Sequence, residues 1–310
     1  MYCASGWPSF HAGGNINMPC GHIKGVQSEG SLSVSPLEKN IMSLLTRLLT
    51  RPCGNRIAQT LLEKSVRLAH SLMGIGSGGG ADSSGEKAIF SFLRKSIPPP
   101  YIIFDVGSNK GQFLKLITTS LKSDGISVHC FEPGKETFRI LTESATGDTR
   151  VTLNNCALSR EPGEAKLFYD NTGSGLASLT QRKLDHFKIE FNQSEEVRIS
   201  TIDEYCAEKG IKRIHLLKID IEGHELDALA GAENMFAREA VDIVTFEFGG
   251  CNIDTRTYFQ DFWYFFTERN YEIYRISPSG YFHKIRKYRE IHEQFRTTNF
   301  LARRKTTSQN

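Results

Sequence analysis

The chain lacks any long apolar run. No stretch approaches the ~18 consecutive apolar residues of a bilayer span, so a membrane-spanning helix is excluded. It also lacks a charge imbalance: 38 Lys and Arg face 35 Asp and Glu, a formal charge of +3 over 310 residues. That is too little to argue for a nucleic-acid or membrane partner. Its seven cysteines (Cys3, Cys20, Cys53, Cys130, Cys156, Cys206, Cys251) are odd in number and scattered, with no C-x-x-C pair. Neither a disulfide framework nor a structural zinc site is expected. Cys3, His11, Cys20 and His22 are metal-ligand types without compact ligand spacing. The first basic residue is Lys24 and no apolar segment follows it, so no signal peptide is read and a cytoplasmic location is expected. No repeat of solenoid period is present.

With 39% hydrophobic and 24% charged residues the composition is that of a globular chain rather than a disordered one. At roughly 100–200 residues per domain, the length allows one large domain with an appendage. Residues 1–36 are rich in Gly, Ser, Asn and Pro, and no fixed structure is expected there; Met42 is an alternative start. From Leu37 to Met73 the pattern turns helical. Leu37, Ile41, Leu44, Leu45 and Leu48 form one stripe; Ile57, Leu61, Leu62, Val66, Leu68 and Leu72 form a second after Pro52-Cys53-Gly54. Arg47, Arg51, Arg56 and Arg67 would suit interfacial membrane helices, but an apolar face docked on the main domain is the commoner arrangement. Gly74 to Gly85 reads as a flexible linker or mobile loop, 86–305 as the main domain, and 306–310 as a polar tail.

After Gly85, β-rich runs at Tyr101–Val106, Val128–Glu132, Val151–Asn155, His215–Ile221, Asp242–Phe248, Tyr271–Ile276 and Thr298–Leu301 make seven candidate strands. Helix-compatible stretches at Gly111–Leu121, Lys135–Ser144, Gly223–Phe236 and Thr257–Arg269 separate most of them. Such alternation predicts an α/β fold, doubly wound, with a mainly parallel sheet and helices on both faces. In such sheets the ligand lies at the carboxyl ends of the strands.

The first strand and its turn read Phe-Asp105-Val-Gly107-Ser108-Asn109-Lys-Gly111. The glycines permit a sharp turn close against a ligand, and Asp105 sets a carboxylate beside it. This is not the G-x-G-x-x-G that crowds glycines around a pyrophosphate; a carboxylate suits an ammonium or sulfonium better. The second strand ends in Phe131-Glu132-Pro133, where an acid can accept hydrogen bonds from a ribose diol. The fourth reads Leu217-Lys218-Ile-Asp220-Ile-Glu222-Gly223-His224-Glu225. Its alternation places Lys218 inside a covered sheet, where it needs a partner. Glu247 on the next strand is the expected one, in an ion pair either structural or catalytic. Asp220, Glu222 and His224 leave this strand at its carboxyl end.

Together with Asn155-Cys-Ala157-Leu158 and Phe246-Glu247, these segments resemble, in order over about residues 100–250, the FkbM-type methyltransferases. These are S-adenosyl-L-methionine-dependent enzymes with a seven-stranded Rossmann-like sheet. Ser108 stands where such families often carry alanine, and the first 85 residues lie outside the resemblance. The resemblance implies that Asp105, Gly107, Ser108, Asn109 and Gly111 surround the methionine part of the cofactor. It places Glu132 on the ribose, Asn155 to Ala157 along the adenine, and Asp220 at the methyl-transfer end. It also implies O-methylation of a hydroxyl on a sugar or secondary metabolite, some members acting on nitrogen.

An alcohol acceptor needs a base within hydrogen-bond reach. His224 and then Asp220 are the candidates, with Glu222 orienting the acceptor and Lys218 and Glu247 as further catalytic candidates. An oxygen-ligand metal site from Asp220, Glu222 and Glu247 ranks below a metal-free reaction. The crossover Leu158–Arg213 is long, with Gly173–Leu179, a hairpin near Ala165–Tyr169, Phe187, Phe191 and Tyr205. With the N-terminal helices it is expected to wall the acceptor pocket. The aromatic helix Tyr258–Phe266 reads as core. A NAD(P)-dependent oxidoreductase shares the sheet and Glu132 but should show the three-glycine loop; an N-methyltransferase of the same fold is the nearer alternative. A nucleic-acid base methyltransferase should show a proline-aromatic clamp and a basic face, where this chain has Ile-Glu-Gly-His-Glu. The oligomeric state is not legible.

Overall fold

The structure, a computed structural model, describes residues 46, 50, 52–80 and 84–305. The unstructured segment expected at 1–36, the whole of the first helical stripe (Leu37, Ile41, Leu44, Leu45 and Leu48) and the tail 306–310 lie outside the described residues. The chain divides into two compact units, Met1–Thr60 and Leu61–Asn310. Helix α1 (Arg56–Met73) carries the second stripe, yet none of its residues is buried. Leu61, Leu68 and Leu72 are 59%, 62% and 72% exposed. The expected docking of this face is therefore not observed. Both faces of the sheet are covered by other helices, and α1 is held at its C-terminal end, where Arg275 Nε donates to the Met73 carbonyl at 2.9 Å.

From α2 (Lys87–Ser96) onward strands and helices alternate. They run β1 (Tyr101–Val106), α3 (Gln112–Ser120), β2 (Ile126–Phe131), α4 (Lys135–Ser144), β3 (Val151–Asn154), β4 (Ala157–Leu158), β5 (Gly163–Tyr169), β6 (Gln193–Ser200) and α5 (Ile202–Lys209). Then come β7 (Ile214–Ile219), α6 (Glu225–Ala230), α7 (Glu233–Ala237), β8 (Val241–Phe248), α8 (Cys251–Thr255), α9 (Phe259–Glu268), β9 (Tyr271–Ile276), β10 (Phe282–Ile285) and β11 (Thr298–Arg304). The main sheet has eight strands in the order β10-β9-β11-β8-β7-β1-β2-β3.

The expected seven-stranded, mainly parallel sheet needs correction. Strands β3, β2, β1, β7 and β8 pair in parallel, but β11 pairs antiparallel with both β8 and β9, and β10 adds an antiparallel edge. The eighth strand, Phe-His-Lys-Ile, is short and half polar, and it returns from β9 through Ser277–Gly280, a hairpin no apolar run announces. Strands β4, β6 and β5 form a separate three-stranded sheet inside the long crossover. The partner of the predicted strand near Ala165 is Gln193–Ser200, about thirty residues away, rather than a local turn mate.

Period-two alternation sorts the core into two layers. Phe104, Val106, Leu217, Ile219, Val244 and Phe246 face Met235, Phe236, Phe262 and Phe266. Ile103, Leu216, Ile243 and Leu301 face Phe90, Leu93, Phe113 and Ile117. All eight residues of β8 are buried, as a strand covered on both faces requires. The predicted helix 223–236 is two helices, because Gly231 lies so close to the Ser159 carbonyl that a side chain would overlap it. Asp203 then caps α7, accepting from Asn234 N at 2.7 Å and Met235 N at 2.9 Å.

The Phe246 ring stacks on Phe262 (centroids 4.7 Å apart) and is flanked by Phe266 and Phe300. Phe246→Ala should therefore cost about 3–5 kcal/mol in urea unfolding. A loss under 1 kcal/mol would show that this aromatic stack collapses to refill the space.

Candidate active site

The carboxyl ends of β1, β2 and β7 open on one large cavity of about 760 Å³. Asp105, the fifth residue of β1, is fully buried, and neither carboxylate oxygen has a hydrogen-bond partner. In register with it on β7 is Lys218, whose Nζ lies 3.5 Å from Asp105 Oδ1 and 3.3 Å from Asp220 Oδ2. Lys218 thus pairs with Asp105 and Asp220 rather than with Glu247; the residue opposite it on β8 is Thr245. Burial works against the Lys218 charge, but Asp220, Asp105 and Glu86 outweigh it and hold the ammonium above the ordinary lysine range. Burial raises the Asp105 carboxyl, with Lys218 opposing.

Past Asp105 the chain turns. Gly107 has φ +78°, and a side chain there would overlap the Asp220 carbonyl, so only glycine lets the β1 and β7 exits touch. The amides of Gly107 and Ser108 donate to the Phe131 carbonyl, and Ser108 Oγ to the Asp105 carbonyl at 2.7 Å. Asn109, itself left-handed at φ +49°, donates its amide to Glu132 Oε2 at 3.0 Å and leaves a buried, unpaired Oδ1. Glu132 Oε1 accepts from Gly134 N at 2.9 Å. Burial pushes the Glu132 carboxyl up to about 7 despite these two amides.

Gly107, Ser108, Asn109, Glu132 and Ala157 line the cavity together with Lys218, Asp220, Glu222, His224 and Glu247. Three expected cofactor residues do not. Gly111 packs its backbone against Leu141 and Ser144 of α4 and closes the turn. Asn155 points away and ties Glu132 and Pro133 together by donating to their carbonyls at 2.8 and 3.0 Å. The buried Asp105 carboxylate lies behind Val106 and Gly107, which form the wall itself.

Beyond β7 the loop Asp220–His224 is held by Glu225, fully buried, whose Oε1 accepts from the amides of Ile221 and Gly223 at 3.1 and 3.0 Å. Glu222 takes the left-handed conformation (φ +53°), a strained geometry for a side-chain-bearing residue. Its carboxylate is gripped by Arg182 Nη1 at 2.5 Å, and Arg182 Nε also reaches Asp254 at 3.3 Å. Burial lifts Glu222 to about 8 although Arg182 opposes it. Glu247 is raised further by burial and by the charges of Asp220, Glu222 and Glu225. His224 Nδ1 is 3.0 Å from Asp227 Oδ2, and its Nε2 is 3.0 Å from Thr180 Oγ1. A carboxylate can only accept from Nδ1–H, so the pairing leaves Nε2 as the acceptor for the threonine hydroxyl.

Sequence reading missed Arg182, Thr180, Asp227 and Asp254. Asp227 stands three residues after His224, a helical spacing that signals the pair. No short motif links Thr180, Arg182 and Asp254 to partners 40 to 72 positions away; the available signal was Arg182 and Thr180 lying just past the glycine-rich Gly173–Leu179. It also took Gly74–Gly85 for a linker. Instead Gly76, Gly78, Gly79 and Gly80 form one wall of the cavity. Gly78 N donates to the Thr297 carbonyl at 3.0 Å, and a Cβ on Gly78 would stand 3.1 Å from Glu247 Oε2. Glycine is what lets this backbone lie on the carboxylate. Phe187 lines the cavity as expected of the crossover, whereas Phe191 and Tyr205 are buried core.

An open α/β sheet whose strand exits frame one deep, acid-lined cleft defines a class of nucleotide- and nucleoside-using enzymes. Within that class, the FkbM methyltransferase domain matches residues 105–273, more than half of the chain, and the chain belongs to this family. It is 31% identical over 170 residues to the 31-O-demethyl-FK506 methyltransferase FkbM of Streptomyces tacrolimicus, covering 46% of this chain and 64% of that protein. It is 27% identical over 166 residues to the 2-O-methyltransferase NoeI of Sinorhizobium fredii, covering 49% and 64%. The crystal structure of methyltransferase FkbM from Methylobacillus flagellatus is similar over 77% of this chain and 59% of that one, at 14% identity and a TM-score of 0.40. The chain thus spans under two thirds of the length of these curated relatives.

The raised acids make a measurable pH signature. Between the ordinary carboxyl value of 4.5 and about 7, folded Glu132 holds a proton that the unfolded chain has lost. Its contribution is therefore full below pH 4.5 and disappears as pH rises through 7. His129, lowered to about 4 by burial, acts oppositely below 6.5, so the clean readout is a difference. Glu132→Gln should flatten the fall in wild-type stability between pH 5 and 7 by up to about 1.4 kcal/mol per pH unit, read by urea unfolding. Parallel wild-type and mutant curves would mean that Glu132 ionises normally.

Proposed function

We propose that this protein is an S-adenosyl-L-methionine-dependent methyltransferase that methylates a hydroxyl oxygen of a sugar or secondary metabolite. The observation that carries the reading is the buried Asp105 carboxylate, unpartnered by any hydrogen bond, behind a glycine turn that opens on the cavity. Lys218 is shared between this acid and Asp220, one cation for two carboxylates, and the acidic surplus favours a cationic ligand and disfavours a pyrophosphate. The cavity walls repeat that preference: Glu86, Glu132, Asp220, Glu222 and Glu247 face it, against Lys218, Arg182 and Arg296. Both curated relatives are named as methyltransferases, one of them as a 2-O-methyltransferase, which supports the same choice.

The residues present fit the cofactor. Gly107, Ser108 and Asn109 would hold its amino-acid end, with Asn109 Oδ1 as an unpaired acceptor and the Asp105 carboxylate, paired with Lys218, directly behind the turn. Glu132 retains lone pairs for ribose hydroxyls after serving the two amides. Ala157 and its neighbours Cys156 and Leu158 offer an apolar wall for a flat ring. When bound, the cofactor supplies an electrophilic methyl group on a positively charged sulfur. The chain's own work is to align an acceptor with that group and to take the acceptor's proton. Alignment is worth on the order of 7–11 kcal/mol.

His224 takes the proton at Nε2, either by displacing Thr180 or through its hydroxyl, while Asp227 holds Nδ1–H and stabilises the imidazolium. Asp220, 39% exposed at its side chain and facing the cavity, is the second candidate base. Glu222, locked by Arg182, positions the acceptor. Lys218 stands between Asp105 and Asp220, at 3.5 and 3.3 Å, and fixes the two carboxylates relative to each other.

Titration calorimetry with S-adenosylhomocysteine and with NADH tests the cofactor: heat is expected with the first and none with the second, and the reverse overturns the proposal. Asp105→Asn should weaken S-adenosylhomocysteine binding about tenfold, ~1.4 kcal/mol. His224→Ala should lower methyl transfer into a metabolite extract by ~10²–10⁴-fold with cofactor affinity unchanged. Loss of affinity together with turnover would make His224 a binding or folding residue.

A further inference from the structure

Among the described residues, helix α1 presents an amphipathic surface that no other element covers. Turned at 3.6 residues per turn, Ile57, Leu61, Leu68 and Leu72 run along one edge of its apolar half. Leu62, Val66 and Met73 run along the other edge, with the small Ala58 and Ala69 between. Every large apolar side chain of this half is between 42% and 75% exposed. The opposite half carries Arg56, Lys64 and Arg67 against a single acid, Glu63, with His70 beside them. The eighteen residues extend roughly 27 Å. Within the second unit, residues 61–73 of the helix are tied to the fold at the C-terminal end, through the Arg275–Met73 bond, the buried Ile75 and a 3.4 Å contact of Arg296 with His70.

We propose that this face docks on an anionic lipid surface, with the helix lying in the plane of the headgroups. Exposed leucines on one half and an excess of cations on the other are the two halves of interfacial binding: burial of apolar area and attraction to anionic headgroups. The cations select the occupant. A purely apolar partner on the leucine half would leave Arg56, Lys64 and Arg67 in water and unused, whereas an anionic lipid surface engages both halves at once. No helix among the described residues is long and apolar enough to cross a membrane, so the association is peripheral. Because α1 runs directly into Gly74–Gly80, which walls the cavity, docking sets one side of that cavity near the lipid surface. The inference does not depend on the reaction proposed above.

The test is co-sedimentation of the full chain with vesicles of phosphatidylcholine alone and of phosphatidylcholine with phosphatidylglycerol, at low and high salt. The expected result is binding to the anionic vesicles only, weakened by salt. The pair Leu61→Glu with Leu68→Glu should reduce partitioning by about tenfold or more, and Lys64→Glu with Arg67→Glu should abolish the preference for anionic lipid. All four side chains are exposed, so both variants should keep the wild-type unfolding midpoint; if one does not, the other carries the test. Wild type that ignores the vesicles, or variants that bind as well as wild type, overturns the proposal. A concentration-dependent dimer that the leucine variants dissolve, without lipid binding, assigns the face to a second copy of the chain and overturns it equally.

Discussion

A carboxylate removed from water and given no hydrogen bond has to be matched by charge, and at Asp105 the match comes from the neighbouring strand. Lys218 sits opposite it in the β1–β7 register, 3.5 Å away, and is shared with Asp220 at the strand's exit. This arrangement demands that β1 and β7 be adjacent, parallel and unslipped. A shift of one residue would turn Lys218 to the opposite face, into the layer of Leu217 and Ile219. The same register brings Gly107 against the Asp220 carbonyl, where no other residue fits. The two loops that frame the cavity are thus placed by one buried ionic contact. Breaking such a contact on one side leaves a buried charge unpaired, which is far more harmful than never having had the pair.

Around this pair the cleft is built in tiers of decreasing rigidity. The innermost tier is sheet and buried acid: Asp105, Lys218, Glu225. The next is a set of loops fixed by side chains from elsewhere, such as Glu132 holding the Asn109 and Gly134 amides and Arg182 holding Glu222. The outermost tier is glycine backbone, 76 to 80 on one side and 173 to 175 on the other. Burial lifts several of the acids, so their ionisation depends on what occupies the cleft. A cationic ligand would draw those protons off, and binding would release them to solvent.

The parts of this architecture that local pattern dictates were readable in the sequence. Strands β1, β2, β7 and β8 announce themselves as β-branched and aromatic runs, and the Asp105–Gly111 and Lys218–Glu225 segments carry their turn residues in order. What pattern does not encode is pairing at a distance. The antiparallel insertion of β11 between β8 and β9 depends on which edge a late strand finds, and Thr298–Arg304 looks the same in either direction. The partner of Lys218 was misread for the same reason: Glu247 belongs to the adjacent strand, but two residues past the position facing the lysine. Gly74–Gly85 shows the converse failure. A glycine-rich composition is shared by linkers and by backbone that must lie flush on a neighbour, and only the neighbour, Thr297 and Glu247, tells them apart.

The FkbM domain proper ends at residue 273 and begins at 105, yet Gly76 to Gly80, Glu86 and Phe295 to Thr297 all border the cleft from outside those limits. The matched stretch alone therefore leaves one flank of the cleft open, and residues from either side of it close that flank. Such a division lets selectivity drift through exchange of the bordering segments while the strands that carry the buried charges stay untouched. Transplanting the two borders together, rather than editing the barrel of the cleft, is the natural way to retarget an enzyme built like this one.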